Sequence, residues 1–346
     1  MIISNHVIPV LTAFALSLLG VLLFLTYDLP LPWLLGSVFP LIIISRFKKI
    51  KLAPPAKLVK PARGLLGIAI GASFTPAIVE SLGQYLISLA FMLPFLVVII
   101  VVGKLYYQYI IKFDKDTSIF CALPGGLLEM TLICETQGAN LKQVVLTHTM
   151  RVLLIIYVIP FLIQYFTSYD LSSTLSLSNN GQGFDLIEAS IIVAIAFIGW
   201  MIAHRLGLGG ASIVGPMIVC ALLYITGWVS YKPPGELINL AQLILGIHIG
   251  LTLKGVEFKE IVTYFFYALG LFIFLIIMSL ITAYCVNLIT DIPLMATFLA
   301  FVPGGQAEMN VVAIMIGIHV PYIALHHVTR MFLVVALGST IRRAFG

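Results

Sequence analysis

The stretch CALPGGLLEMTLICE, Cys121–Glu135, is apolar enough to lie in a bilayer, yet its middle carries Pro124, Gly125, Gly126 and the acid Glu129. Further along, AFVPGGQAEMN, Ala300–Asn310, repeats the pattern with Pro303, Gly304, Gly305 and Glu308. Proline removes a backbone donor and clashes with the preceding turn, and paired glycines allow a turn that other residues would resist. A helix is therefore predicted to break at both places. Main chain freed this way cannot face lipid, where each unpaired group costs several kcal/mol, so it must pack in protein or line a wet cavity. One such break reads equally well as a kink repaired by neighbours. Two, each with a carboxylate about a turn later, point to a functional cavity.

The rest of the chain agrees with a membrane setting. Of 346 residues, 61% are hydrophobic and 10% charged, and the mean hydropathy is +1.12. Too little polar surface remains for a soluble globule, so an all-α integral membrane protein of one domain, residues 1–346, is expected. The apolar runs do not alternate with polar residues as barrel strands do. The formal charge of +5 collects between apolar segments and reads as membrane topology, not nucleic-acid binding. Cys121, Cys134, Cys220 and Cys285 sit inside apolar runs without CxxC spacing, as buried hydrophobes rather than a disulfide or zinc framework. The first apolar run, Val7–Thr26, lacks a basic start and a small-residue cleavage site, and is expected to stay in the mature protein.

At roughly 20 apolar residues per crossing, helical segments are predicted near 6–26, 31–45, 62–80, 85–111, 117–137 and 141–166. A second set falls near 184–204, 210–228, 236–254, 262–289, 293–317 and 321–341. The sets align at an offset of 179. It carries Gly36 to Gly215, Pro54-Pro55 to Pro233-Pro234, GIAIG to GIHIG, Pro124 to Pro303, Glu129 to Glu308, His148 to His327 and Arg151 to Arg330. Punctuation and intramembrane polar residues coinciding at one offset predict an internal duplication, 6–166 and 184–341, joined by a polar linker at 167–183.

Orientation follows from the basic residues. Arg46, Lys48, Lys49, Lys51, Lys57, Lys60 and Arg63 form a cluster expected on the cytoplasmic side of a bacterial inner membrane. Twelve full crossings would give both halves one orientation and place the linker inside. If each Pro-Gly-Gly segment is broken or re-entrant, each half has five crossings, the linker falls outside and the second repeat is inverted. The inverted arrangement keeps the later basic groups inside and is the expectation. A parallel six-plus-six is its rival.

Inside the membrane the polar residues form two matching sets. Glu129 and Glu308 would sit in the first turns of the helices restarting after the breaks, where the helix dipole favours a carboxylate. An ionised carboxylate there must be paired, hydrated or protonated. Arg151 and Arg330 are the candidate partners, each three residues after His148 or His327 and so on the same helical face. The alternative is a structural ion pair that locks two helices. Asn310 and Gln306 make the second copy more polar, since Thr131 and Leu127 hold those places in the first. His248, against Ala69, and His326, against Thr147, also lack counterparts, and His319 precedes a turn at Pro321. No HxxxH, HxxE or HxH spacing supports copper or iron, and no GxSxG, Walker A or GxGxxG signature suggests another chemistry.

The pair LPGGLLEM…HTMR and VPGGQAEMN…HHVTR, preceded by GIAIGASF and GIHIGLTL, resembles the AbrB duplication family of bacterial membrane proteins over nearly the whole chain. Its members carry the labels AbrB family transcriptional regulator and ammonia monooxygenase. The first label implies a role in gene expression, although no helix-turn-helix module is recognisable. The second implies a metalloenzyme, which the ligand spacing does not favour. The residues themselves lead to a non-enzymatic permease for a small polar or anionic solute, driven by a proton or sodium ion, without cofactor or metal. Pro124, Gly125, Gly126, Glu129, His148, Arg151, Pro303, Gly304, Gly305, Glu308, Asn310, His327 and Arg330 are its expected site. Its expected partners are the lipid bilayer and the solute or coupling ion, with no nucleic acid. Self-association is left open.

Overall fold

The structure, a computed structural model, describes residues 2–47, 49–76, 78–125, 134, 138–173, 186–229 and 232–345. Among the described residues every regular element is helical. In chain order these are α1 (Ile2–Thr26), α2 (Ser37–Ile44, entered through a π-helical turn at Pro32–Gly36), α3 (Ala56–Gly71), α4 (Ile78–Ala90), α5 (Met92–Leu105, leaving through a π-helical turn at Tyr106–Ile110) and α6 (Lys115–Ala122). Then come α7 (Leu141–Phe166), α8 (Leu186–Arg205), α9 (Ala211–Ile225), α10 (Gly235–Gly250), α11 (Phe258–Asn287), α12 (Leu294–Phe301), α13 (Gln306–Ile316) and α14 (Val320–Phe345). Spans Val7–Thr26, Ser81–Ile110, Leu141–Phe166 and Phe258–Asn287 are long and apolar enough to cross a membrane.

Local chemistry sets the boundaries, and several differ from the periodicity. The segment expected at 62–80 is instead α3, which begins directly after Pro54-Pro55 and ends at Gly71, and a new helix starts at Ile78. The segment expected at 85–111 is interrupted at Phe91, because Pro94 has no N–H for the carbonyl of Ala90. Asp114 accepts the N–H of Thr117 at 2.9 Å and caps α6 two residues earlier than expected. The segments expected at 117–137 and 293–317 both stop at their Pro-Gly-Gly: α6 ends at Ala122, and α12 and α13 are separated by residues 302–305.

The helices group into two units. The first comprises Met1–Pro76, Tyr157–Phe258 and Ile314–Gly317. Its packing relies on glycine at close backbone crossings, as is common where helices associate in lipid. On α3, a Cβ at Gly67 would strike the carbonyl of Ile213, and one at Gly71 would lie 2.6 Å from that of Met217, so α9 lies directly on α3. On α10, a Cβ at Gly246 would lie 2.6 Å from the carbonyl of Leu34 and one at Gly250 3.1 Å from that of Val38. Gly20 meets Gly36 in the same manner, and Gly199 meets Gly215. Each contact has a counterpart whose two residue numbers are both shifted by 179.

Helices α3 and α10 also pack on each other. Arg46 donates to the carbonyl of Val256 at 2.5 Å and to that of Leu253, and Lys254 donates to the carbonyl of Leu52 at 2.6 Å. The end of α10 therefore sits beside the start of α3, and the two helices run antiparallel. Arg46, read from the sequence as a topology signal, and Lys254 thus tie together the turns that precede α3 and follow α10.

The second unit comprises Ala77–Ile156, Lys259–Ala313 and Ile318–Gly346. Here α5 packs on α6, with a Cβ at Gly103 reaching 3.0 Å from that of Ala122, and α12 packs on α14. Tyr106 donates its hydroxyl to the carbonyl of Tyr267 at 2.9 Å, tying α5 to α11.

Replacing Gly215 by Val forces apart α8 and α9 and is expected to cost about 1–3 kcal/mol, read as a lower unfolding midpoint in detergent. Gly83, whose Cβ would meet nothing within 4 Å, should accept Ala with no loss.

Candidate functional site

The break in the second unit is best followed from its carbonyls. Pro303 is the residue whose N–H would have served Leu299 in a continuous helix, so that carbonyl is freed. His327 Nε2 donates to it at 3.0 Å. Val302 adopts an extended conformation, and Arg330 takes up the next two carbonyls, donating from Nη1 to Val302 and from Nη2 to Gly304, both at 2.7 Å. The same Nη2 also donates to His327 Nδ1 at 2.9 Å, which fixes the ring as the neutral Nε2–H tautomer. One helical face of α14 thus satisfies the main chain that the proline released. His327 and Arg330 are 1% and 4% exposed.

The glycines have separate tasks. At Gly304 a Cβ would come within 2.9 Å of Ile155 on α7 and of Met309, so a side chain would open the packing. At Gly305 it would stand 2.8 Å from Cδ of Glu308, whose carboxylate folds back over the residue that precedes the first turn of α13. A carboxylate at that place faces the positive end of the helix. Asn310, fully buried, donates from Nδ2 to the carbonyl of Gln306 at 2.7 Å. Its Oδ1 and the Nε2 of Gln306 are buried without a hydrogen-bond partner.

The region of Pro124 is described as far as Gly125. Leu123 is extended as Val302 is, and Arg151 Nη1 donates to its carbonyl at 3.3 Å, the counterpart of the bond from Arg330 to Val302. His148 places Nδ1 2.9 Å from the carbonyl of Val144 and Nε2 3.1 Å from that of Leu123. A neutral ring has one N–H and can serve only one of them. Arg151 Nε is buried without a partner. Pro124 is buried and Gly125 partly so, whereas Gly126 and Glu129 lie outside the described residues. Arg151 and Arg330 both belong to the second unit.

Sequence reasoning offered the acids as candidate partners of the arginines, a pairing that for Arg151 lies outside the described residues, and did not foresee the carbonyls, although the proline itself was the signal. It also missed a buried relay. His326 Nδ1 donates to the carbonyl of Tyr322 at 2.9 Å, leaving Nε2 to accept from Ser88 at 2.9 Å, while the Tyr322 hydroxyl lies 2.5 Å from the same Ser88 oxygen. No spacing in the chain announces a contact between α4 and α14. The cysteines are free, and among the described residues no three His, Cys, Asp or Glu side chains are grouped to hold a metal ion.

Four long apolar helices, with guanidinium and imidazole groups buried beside Leu123 and Val302, mark a helical, membrane-type protein with polar groups in its interior. The family model described as Transition state regulatory protein AbrB matches residues 33–346, and the chain belongs to that family. It is similar to the Uncharacterized protein YhjN of Bacillus subtilis (strain 168), at 25% identity covering 94% of this chain and 88% of the relative. It is likewise 25% identical to the protein named "Putative regulator AbrB" of Escherichia coli (strain K12), covering 97% of each. No solved structure matches the chain.

Replacing Arg330 by Gln should free the carbonyls of Val302 and Gly304 in a buried setting and lower stability by about 2–4 kcal/mol. Thermal unfolding in detergent reads the loss, and an unchanged midpoint would show that those carbonyls are served otherwise.

Proposed function

We propose that the protein is a secondary transporter or permease for a small polar, anionic solute. The observation that carries this reading is that Arg151 and Arg330, both buried in the second unit, each donate from a long helix to a carbonyl beside the proline of the preceding segment. Broken helices that meet inside a bundle expose main-chain and dipole ends to a solute without exposing them to lipid. Positive guanidinium groups there attract an anion. Glu308, and Glu129 by its position in the sequence, carry the coupling proton or sodium ion.

An inverted duplication supports the same reading, because two copies of opposite orientation give a site equal access to either side. In its favour, α3 and α10, α6 and α12, and α7 and α14 have bounds that differ by 179 at both ends. The glycine contacts of the first unit recur at that offset, and α3 and α10, counterparts under it, run antiparallel. With the 46–63 basic segment inside, the chain sits in a bacterial inner membrane as a non-enzymatic, multi-pass carrier that needs no metal or cofactor.

A second reading rests on the family description and on the name of the Escherichia coli relative, both of which speak of regulation. In it the buried site senses a solute, and the basic segment between α2 and α3 docks a cytoplasmic protein.

Reconstitution into proteoliposomes separates the two. Uptake of carboxylates, phosphate, sulfate or amino acids should exceed that of empty vesicles and respond to an inward proton or sodium gradient. Glu308→Gln should abolish the response to the gradient while leaving insertion intact. Uptake equal to that of empty vesicles for every solute defeats the transport reading. A cytoplasmic protein cross-linked through Lys57 would then support the regulatory one.

A further inference from the structure

The outer side of the first unit carries a patch in which positive charge, aromatic rings and apolar surface adjoin. On α3, Lys57 and Lys60 are exposed and stand three residues apart, so they share a helical face, which Arg63 continues one turn on. Lys60 Nζ lies 6.0 Å from the centre of the Trp200 ring on α8. Trp200 in turn is stacked on His204, with ring centres 5.7 Å apart. A Cβ on Gly64 would meet that of Ala196 at 3.9 Å. Contacts of 60 with 200 and of 64 with 196 mean that α3 and α8 run antiparallel, so the start of α3 lies beside the end of α8, where His204 and Arg205 are exposed.

Nothing in the chain neutralises this end. Residues 46–66 contain seven Lys or Arg and residues 196–216 contain Arg205, with no Asp or Glu in either stretch. Among the described residues none of Lys57, Lys60, Arg63 and Arg205 pairs with a carboxylate. Apolar surface continues directly from the charges, because Phe197 and Ile198 are exposed on α8 and the Phe197 ring lies 5.8 Å from that of Trp200. Helix pairing does not call for such a set. Helices α1 and α10 also pack on each other, and at the positions 179 away they carry Val21 and Leu25, and Glu236, Asn239 and Gln242.

We propose that this patch is the docking site of an anionic phospholipid, whose phosphate is held by Lys57, Lys60 and Arg205 and whose acyl chains lie along Phe197 and Ile198. An indole at the level of the headgroups suits the boundary between the two, with its ring in apolar surroundings and its N–H free to donate. Clustered cations beside a membrane helix attract anionic lipid. A water-soluble protein would match the charges but leave the adjoining apolar face uncovered, and a free phosphate would have no use for it. The inference goes beyond the transport reading and needs only that these helices lie in a bilayer.

The test uses purified full-length protein in a non-ionic detergent. Its unfolding midpoint is followed against added phosphatidylglycerol, with phosphatidylcholine as the neutral lipid and glycerol 3-phosphate as the headgroup without chains. Binding to the folded state raises the midpoint with concentration. Phosphatidylglycerol should do so beyond phosphatidylcholine, and added salt should weaken the effect. Lys57→Gln and Lys60→Gln, both at exposed positions where the fold should survive, should each weaken the affinity about fivefold. Lys142→Gln removes an equal charge from the second unit and should leave it unchanged. The proposal is overturned if phosphatidylglycerol acts no more strongly than phosphatidylcholine, if glycerol 3-phosphate acts as strongly, or if Lys60→Gln binds the lipid as the parent protein does. A protein partner cross-linked through Lys57 in the absence of any lipid preference would then be the occupant. Because no solute movement is read, failure of the transport reading would leave this result untouched.

Discussion

A main-chain carbonyl released inside oil must find a donor, and this requirement organises the polar interior of the second unit. Each proline at a Pro-Gly-Gly removes the N–H that a carbonyl one turn earlier would have used, and the extended residue before it releases another. The donors come from one face of the following long helix, where His and Arg stand three residues apart. The arrangement explains why a guanidinium is used: its fork reaches two carbonyls of an irregular backbone at once, which an ammonium on a flexible stem does less well. The buried charge is thereby surrounded by oriented carbonyl dipoles.

Much of this was legible in the chain. Proline and paired glycine mark a helix break through covalent geometry alone, so the gap between α12 and α13 could be placed to within a few residues, and α6 ends just ahead of Pro124. The offset of 179 was visible because glycine, proline and buried charge are costly to misplace, and the glycine contacts of the first unit recur at it. What could not be read were features decided by tertiary geometry. The partners of Arg151 and Arg330 depend on which carbonyls the break presents. The patch around Lys60 and Trp200 depends on α3 and α8 lying side by side in opposite directions. The bond between Ser88 and His326 joins helices more than 200 positions apart in the chain. The helix from 62 to 80 was misjudged because apolar periodicity passes unbroken through Gly71, where the backbone turns away.

The two Pro-Gly-Gly regions differ in the polarity of the residues around them. Gln306 and Asn310 enrich the second break in carboxamide, and His327 and Arg330 close its main chain with short bonds. The first keeps Leu127 and Thr131 in those places, and the Nε of Arg151 is buried without a partner.

The glycine faces of the first unit bear on how the protein is made. Helix α3 is finished at Gly71, but the backbone that covers its glycine edge belongs to α9, which ends at Ile225. At ribosomal rates of about 5–20 residues per second, roughly 8–30 s separate the two events. Throughout that interval a notch shaped for another helix lies open to lipid or to whatever accompanies the nascent chain. The glycine edge of α3 is thus covered only once a segment about 150 positions further along has been made.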